Sequence, residues 1–264
     1  MAITFTHKPG LVAYVTCGDP DLPTTKAVIL AAARSGADVI ELGVPFSDPV
    51  ADGPVIQRAC DRALRQGTTL EKVLQMAREV RAETDAGLIV FSYFNPLLKF
   101  GLGRFGAAAE AAGIDGALVT DLPVEEAGEY LRGMRSRNLA TVFLAAPTST
   151  DERLRRIAEA STGFVYAVSR TGVTGARAEF PADSRELVAR IRRWTSLPIA
   201  VGFGISTPQQ FAAVGQYAEA AVVGSALMQA IENSPDRAAA AVAELITTLR
   251  SQQTASHKPQ ATSK

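Results

Sequence analysis

Eight short apolar runs punctuate the chain: Leu11 to Val15, Val39 to Leu42, Leu88 to Phe91, Ala117 to Val119, Thr141 to Leu144, Phe164 to Val168, Ile199 to Val201 and Ala220 to Val223. Between them lie longer stretches in which Ala and Leu alternate with Arg and Glu on a helical period, such as Thr24 to Arg34, Leu70 to Glu83, Val124 to Arg137 and Ser184 to Thr195. The first set predicts strands and the second amphipathic helices, so strand and helix alternate. The strand runs are continuously apolar, which is the mark of burial on both faces of a parallel sheet. Eight such units in about 250 residues predict a (β/α)8 TIM barrel, with an open doubly wound sheet as the structural runner-up. No internal linker or composition break divides the chain. The reading is one barrel domain over 1–250, followed by a polar Ser/Thr/Gln-rich tail over 251–264 with too little apolar surface to order itself.

Composition narrows the chemistry. With 27 basic and 27 acidic residues the formal net charge is zero, and the basic footprint of a nucleic-acid binder is missing. No apolar run reaches the roughly 18 residues of a membrane span, and residues 1–10 carry no signal-like stretch, so a cytoplasmic protein is expected. Cys17 and Cys60 have no paired spacing and read as reduced, buried thiols. The 2 histidines, His7 and His257, sit in the polar terminal segments. Histidine-based triads and most zinc sites are thereby excluded from the fold, and proton transfer falls to Asp, Glu, Tyr and Lys. Lys26, Lys72 and Lys99 fall in helix or loop stretches and none closes a strand, so an imine-forming mechanism lacks its lysine.

In a TIM barrel the chemistry sits where strands end and βα loops begin. Glu41 closes the second strand among Ile40 and Leu42, surroundings that favour its neutral form and raise its pKa. Asp52 follows in the same loop, and Asp121 stands just past the fourth strand, so three carboxylates could share one mouth. Each has a plain structural alternative: Asp52 before Gly53-Pro54 as a helix N-cap, Asp121 as a turn or cap, and Asp48 before Pro49 as an Asx-type turn. Glu41 has the least comfortable one, because a lone carboxyl at the end of an apolar strand costs free energy. Tyr166, in the sixth strand, reads either as a core aromatic or as a ligand-facing hydroxyl. Gly-rich segments at 169–175, 202–206 and 224–226 follow the last three strands. One such segment makes a turn, but three on the same side of a barrel predict a phosphate cradle at the C-terminal face.

The segment Glu41-Leu42-Gly43-Val44-Pro45-Phe46-Ser47-Asp48-Pro49-Val50-Ala51-Asp52-Gly53-Pro54 resembles the signature of the tryptophan synthase alpha subunit family. The likeness extends through Gly18-Asp19-Pro20, Asp121-Leu122-Pro123, Ser169-Arg170-Thr171-Gly172-Val173-Thr174-Gly175, Gly202-Phe203-Gly204-Ile205-Ser206 and Gly224-Ser225-Ala226, covering Leu11 to Glu232. It implies a carbon–carbon lyase that cleaves indole-3-glycerol phosphate to indole and D-glyceraldehyde 3-phosphate. No cofactor is implied in this chain; pyridoxal phosphate belongs to the beta subunit expected as partner in an αββα heterotetramer. By the same resemblance Glu41, Asp52 and Tyr166 are catalytic, and Gly175, Gly204, Gly224 and Ser225 contact the phosphate. Ile56, Leu118 and Phe203 line the indole pocket, and Thr174 positions the loop after the sixth strand against Asp52. The loops 45–54, 94–101 and 170–180 are expected to couple to the beta subunit.

The family usually carries a longer helix before the first strand, so a less covered barrel floor is expected here. A free-standing indole-releasing lyase and a non-catalytic, phosphate-ligand-binding activator subunit remain open. A phosphate-sugar isomerase explains the carboxylate loop less well.

Overall fold

The computed structural model describes residues 3–168, 182–202 and 204–251. Its strands are β1 (Gly10–Thr16), β2 (Val39–Gly43), β3 (Gly87–Ser92), β4 (Gly116–Val119), β5 (Ala140–Ala145), β6 (Val165–Val168), β7 (Ile199–Gly202) and β8 (Ala220–Val223). Each lies parallel to the next, and β8 pairs back onto β1 through Gly10↔Ala220 to Ala13↔Val223, closing a (β/α)8 barrel. Closure removes both sheet edges, which rules out the doubly wound alternative. The helices among the described residues are α1 (Leu22–Arg34), α2 (Pro54–Arg65), α3 (Leu70–Arg81), α4 (Phe94–Phe100), α5 (Leu102–Ala111), α6 (Gly128–Arg135), α7 (Asp151–Ala160), α8 (Ala182–Arg192), α9 (Pro208–Val214), α10 (Ser225–Asn233) and α11 (Ala238–Arg250).

Strand parity divides the core in two. Val12, Val39, Ile89, Leu118, Val142, Phe164, Ala200 and Ala220 pack together inside the barrel. Their neighbours in sequence, such as Leu11, Ala13, Ile40, Leu42, Val90, Ala117, Val201 and Val223, face outward under the helices. Both parities are apolar because both faces are dry. Strand approach is close enough at one point to demand glycine: a Cβ on Gly116 would lie 2.4 Å from the Ala140 carbonyl oxygen.

The floor is built from acids placed just before even-numbered strands. Asp38 accepts the Leu11 N–H of β1 at 2.8 Å, Asp115 that of Leu88 in β3 at 2.8 Å, and Glu219 that of Ile199 in β7 at 2.9 Å. Each is paired with an arginine from the outer layer: Arg250, Arg81 and Arg192. The segment before β1 packs on part of the floor. Ile3 joins the interior cluster at 6% exposure, and the Phe5 ring packs edge-on against Phe164 at 6.0 Å.

Helix starts show a second difference. The stretch expected to be helical from Val124 begins helix only at Gly128, because Glu126 and Ala127 bond back three residues, to Pro123 and Val124, and form turns first. Of the tail read over 251–264, all but Ser251 lies outside the described residues. No helix among the described residues is long and apolar enough to cross a membrane.

Candidate active site at the barrel mouth

Glu41 shares the inward parity of Val39 and sits in register between Tyr14 of β1 and Ile89 of β3. It is 0% exposed, and neither carboxyl oxygen has a hydrogen-bond partner. Burial alone pushes its pKa up to about 8, so at neutral pH the group is predominantly a carboxylic acid. Two residues on, Gly43 leaves space for Tyr14: a Cβ there would come within 2.5 Å of the tyrosine oxygen. The Tyr14 hydroxyl bonds Thr16 at 3.2 Å.

Asp52 reaches the same mouth from the loop after β2. It does not cap α2. The N-cap is Gly53, which has no side chain to contribute, and the Asp52 carboxylate instead accepts the Tyr93 hydroxyl at 3.0 Å. Tyr93 is 3% exposed at the end of β3, accepts the Ala51 N–H at 2.9 Å, and packs against the Phe46 ring at 5.1 Å. One tyrosine thus fixes both the loop backbone and the carboxylate. Burial raises the Asp52 pKa to about 6, with the Tyr93 hydrogen bond pulling it back down. The two carboxyl groups therefore differ at pH 7, one chiefly neutral and one chiefly ionised, which is the division of labour that acid/base chemistry requires.

Tyr166 joins them. It points inward from β6 between Leu144 and Ala200, leaning over Gly202 so closely that a Cβ there would sit 2.3 Å from its oxygen. Its pKa is raised first by burial and then by negative charge at Glu41 and Asp52, which places it within electrostatic range of both. Leu118 is fully buried inside the barrel, and the half-buried Ile56 of α2 packs on the core.

In the loop after β7, Gly204 has φ 57° with open space where a side chain would stand, a left-handed conformation that favours glycine. Gly224 is the N-cap of α10 and the exposed Ser225 its first residue, so free backbone N–H groups and the positive end of the helix dipole face solvent there. Gly175, Thr174 and Phe203 lie outside the described residues.

Asp121 is exposed and accepts the Phe94 N–H at 2.6 Å at the start of α4, one residue past the Tyr93 that holds Asp52, and it lines a hollow of about 310 Å³ with Phe143, Leu144 and Arg153. Asp48 is a turn residue, but its backbone carbonyl makes the turn by accepting Val50 N–H, while its carboxylate takes the Ser47 hydroxyl. Both cysteines are free and buried, and burial holds the Cys60 thiol up at about 11. Among the described residues no group of three or more His, Cys, Asp or Glu side chains is arranged to hold a metal ion. Lys26 pairs with Glu79 and Glu83 in the outer layer, away from the mouth.

Sequence reasoning did not single out Tyr14 or Tyr93. Tyr14 carried a usable signal, an aromatic hydroxyl on the same parity as Val12 near a strand's C-terminal end. Tyr93, one residue past β3, had a similar one.

The chain matches known proteins along most of its length. The family profile described as tryptophan synthase alpha chain matches residues 2–257. The tryptophan synthase alpha chain of Solibacter usitatus is 54% identical over 233 residues, covering 88% of this chain and 87% of that protein. That of Geobacter sulfurreducens is 50% identical over 225 residues, covering 85% of each. Among solved structures, a chain of the tryptophan synthase complex from Pyrococcus furiosus superposes with a TM-score of 0.86 at 38% identity, over 92% of this chain and 98% of its own. Mycobacterium tuberculosis tryptophan synthase gives 0.85 at 39% identity, over 92% and 93%. The chain belongs to the tryptophan synthase alpha chain family.

Proposed function

We propose that Glu41 and Asp52 divide the proton handling of the alpha-chain reaction, the retro-aldol cleavage of indole-3-glycerol phosphate to indole and D-glyceraldehyde 3-phosphate. The observation that carries this is Glu41, wholly buried with both oxygens unpartnered at the barrel mouth. A protonated Glu41 delivers its proton to ring C3, which makes the indole a leaving group. The resulting carboxylate takes the proton of the side-chain hydroxyl as the carbon–carbon bond breaks and the aldehyde forms. Glu41 ends as it began, so the proton balance closes. Ionised Asp52 pairs with the indole N–H and stabilises the positive charge that develops at the ring nitrogen. The Tyr166 hydroxyl borders the reacting end, Leu118, Ile56 and Phe203 enclose the ring, and Gly175, Gly204, Gly224 and Ser225 hold the phosphate. Thr174 secures its loop against Asp52.

No step in this scheme draws on a cofactor in this chain; pyridoxal phosphate serves the beta subunit. A beta-subunit partner is supported by the Pyrococcus furiosus relative, whose structure is a tryptophan synthase complex. We place that contact on the mouth side, where Val50 on the loop after β2 is 86% exposed and Leu98 on α4 is 56% exposed, within a cytoplasmic αββα assembly.

The test is indole release from indole-3-glycerol phosphate by wild type and Glu41→Gln, each with and without a beta subunit. Slow wild-type turnover, accelerated by the beta subunit and lowered about 10²–10⁴-fold in the variant, is expected. Fast turnover independent of the beta subunit would favour the free-standing lyase, and full activity in Glu41→Gln would remove the assignment.

A further inference from the structure

Helix α2 is not part of the outer ring. α3 occupies that layer against α1, whereas α2 lies across β1 and touches α10. Its fully buried side chains are small, Ala59, Cys60 and Ala63, with the half-buried Val55 and Ile56 of its first turn packed beside them. Its polar attachment is extensive. Arg62 spans Asp19, which is 1% exposed in the loop after β1, with Nε at 2.7 Å and Nη2 at 2.9 Å, and its Nη1 donates to Glu232 of α10 at 2.7 Å. Glu232 also takes both Nε and Nη2 of Arg58, at 2.8 and 2.6 Å. Hydrogen bonds from Arg58, then Arg62, hold Glu232 down at about 2, so it stays ionised throughout the working range. An isolated exposed pair would contribute little, but a guanidinium fork on a buried carboxylate is rigid in a way a lysine is not.

The elements joined are the ones that bracket the substrate. The chain entering α2 carries Asp52, its first turn carries Ile56, and α10 begins at Ser225 behind Gly224. We propose that Arg62 is a positioning residue that fixes the span between the indole end and the phosphate end of the site. This rests on the roles assigned to Asp52 and Ser225 above. A ligand that occupies one end does not sense the span; a substrate that bridges both does.

The experiment measures kcat and KM for indole-3-glycerol phosphate in Arg62→Met, with the beta subunit present, alongside the inhibition constant of glycerol 3-phosphate, which fills the phosphate end alone. A displacement of about 1 Å costs on the order of 10²-fold, so kcat/KM is expected to fall about 30- to 100-fold while glycerol 3-phosphate inhibition stays within about twofold. Parallel weakening of both, or kcat/KM within about twofold of wild type, would overturn the proposal. Glu232→Ala keeps the Arg62–Asp19 fork and cuts the bonds by which Arg62 and Arg58 reach α10. It should show the same divergence between joined substrate and fragment, and it carries the test if Arg62→Met does not fold. Asp52→Asn is the control for the underlying reading: wild-type kcat in that variant would remove the site assignment itself, whereas loss of activity there with none in the Arg62 and Glu232 variants rejects the span alone.

Discussion

Asp38 and Glu41 belong to the same turn of sequence around β2, one at the barrel floor and the other at its mouth, and both are buried. Their fates are opposite. Burial pushes the Asp38 pKa up, but hydrogen bonds from the Thr6 hydroxyl, Leu11 N–H, His7 and Thr6 N–H outweigh it and leave the pKa lowered. Glu41 is buried more fully and has no donor, and its pKa rises to about 8. The floor spends its carboxylates on closing the barrel, as Asp115 and Glu219 do on β3 and β7. The mouth leaves one unsatisfied, so that its missing partners can come from substrate. A buried acid without a partner destabilises the fold, and its persistence at the active face marks function rather than architecture.

The strongest way to break this contrast is Glu41→Gln followed by stability rather than activity. A folded-state pKa raised from the ordinary value of 4.5 to about 8 means that the stability Glu41 contributes in its neutral form is complete below pH 4.5 and is lost as pH rises to about 8. Glutamine is neutral at every pH. The variant should therefore match or trail wild type at pH 4.5 and gain on it steadily up to pH 8, by on the order of 4 kcal/mol at about 1.4 kcal/mol per pKa unit. Thermal midpoints across that range, read beside the lost indole release, check it. A gap that stays flat with pH would mean that Glu41 is not the lone buried acid described here.

The barrel was legible from the sequence because strands buried on both faces leave continuous apolar runs, and all eight fall where those runs are. Parity was not legible for the same reason: with both faces apolar, only the odd carboxyl of Glu41 says which side is inside. The Asp52-Gly53-Pro54 sequence fits an N-cap by local chemistry, and only the contact to Tyr93 shows the carboxylate turned to the mouth. That contact joins the loop after β2 to the end of β3, a long-range closure that no local period encodes. The packing of Ile3 and Phe5 on the floor was not legible for the same reason, since their partners lie on distant strands.

A smaller effect sharpens the floor side. Asp38→Asn removes the charge that gathers Thr6, His7 and Leu11, and hydrogen bonds to a charged group are worth about 1.5–3 kcal/mol. Because the folded pKa is lowered, this stability is present above the ordinary aspartate value of 3.8 and is lost as pH falls through the folded value. The variant should be less stable than wild type by about that amount at pH 7, and the gap should close in acid. Its kcat/KM should stay within about twofold of wild type, since floor residues of a barrel serve stability. A loss of turnover with unchanged stability would show that the two ends are not divided as argued.

The smallest effect probes the mouth's second carboxyl, which lies between the two extremes: Asp52 is partly buried, raised to about 6, and held by a single hydroxyl. Tyr93 lowers that pKa by its hydrogen bond, so Tyr93→Phe should move it further up. The reaction needs Asp52 ionised, and the acid limb of the kcat profile should shift to higher pH with it. At pH 6 the variant should turn over slower by up to about tenfold, the cost of one hydrogen bond to a charged group taken at its lower end. At pH 8, where Asp52 is ionised in both proteins, the rates should draw together. Tyr93 also accepts the Ala51 N–H, so a rate deficit of equal size at both pH values would mean that it holds the loop and leaves the charge of Asp52 untouched.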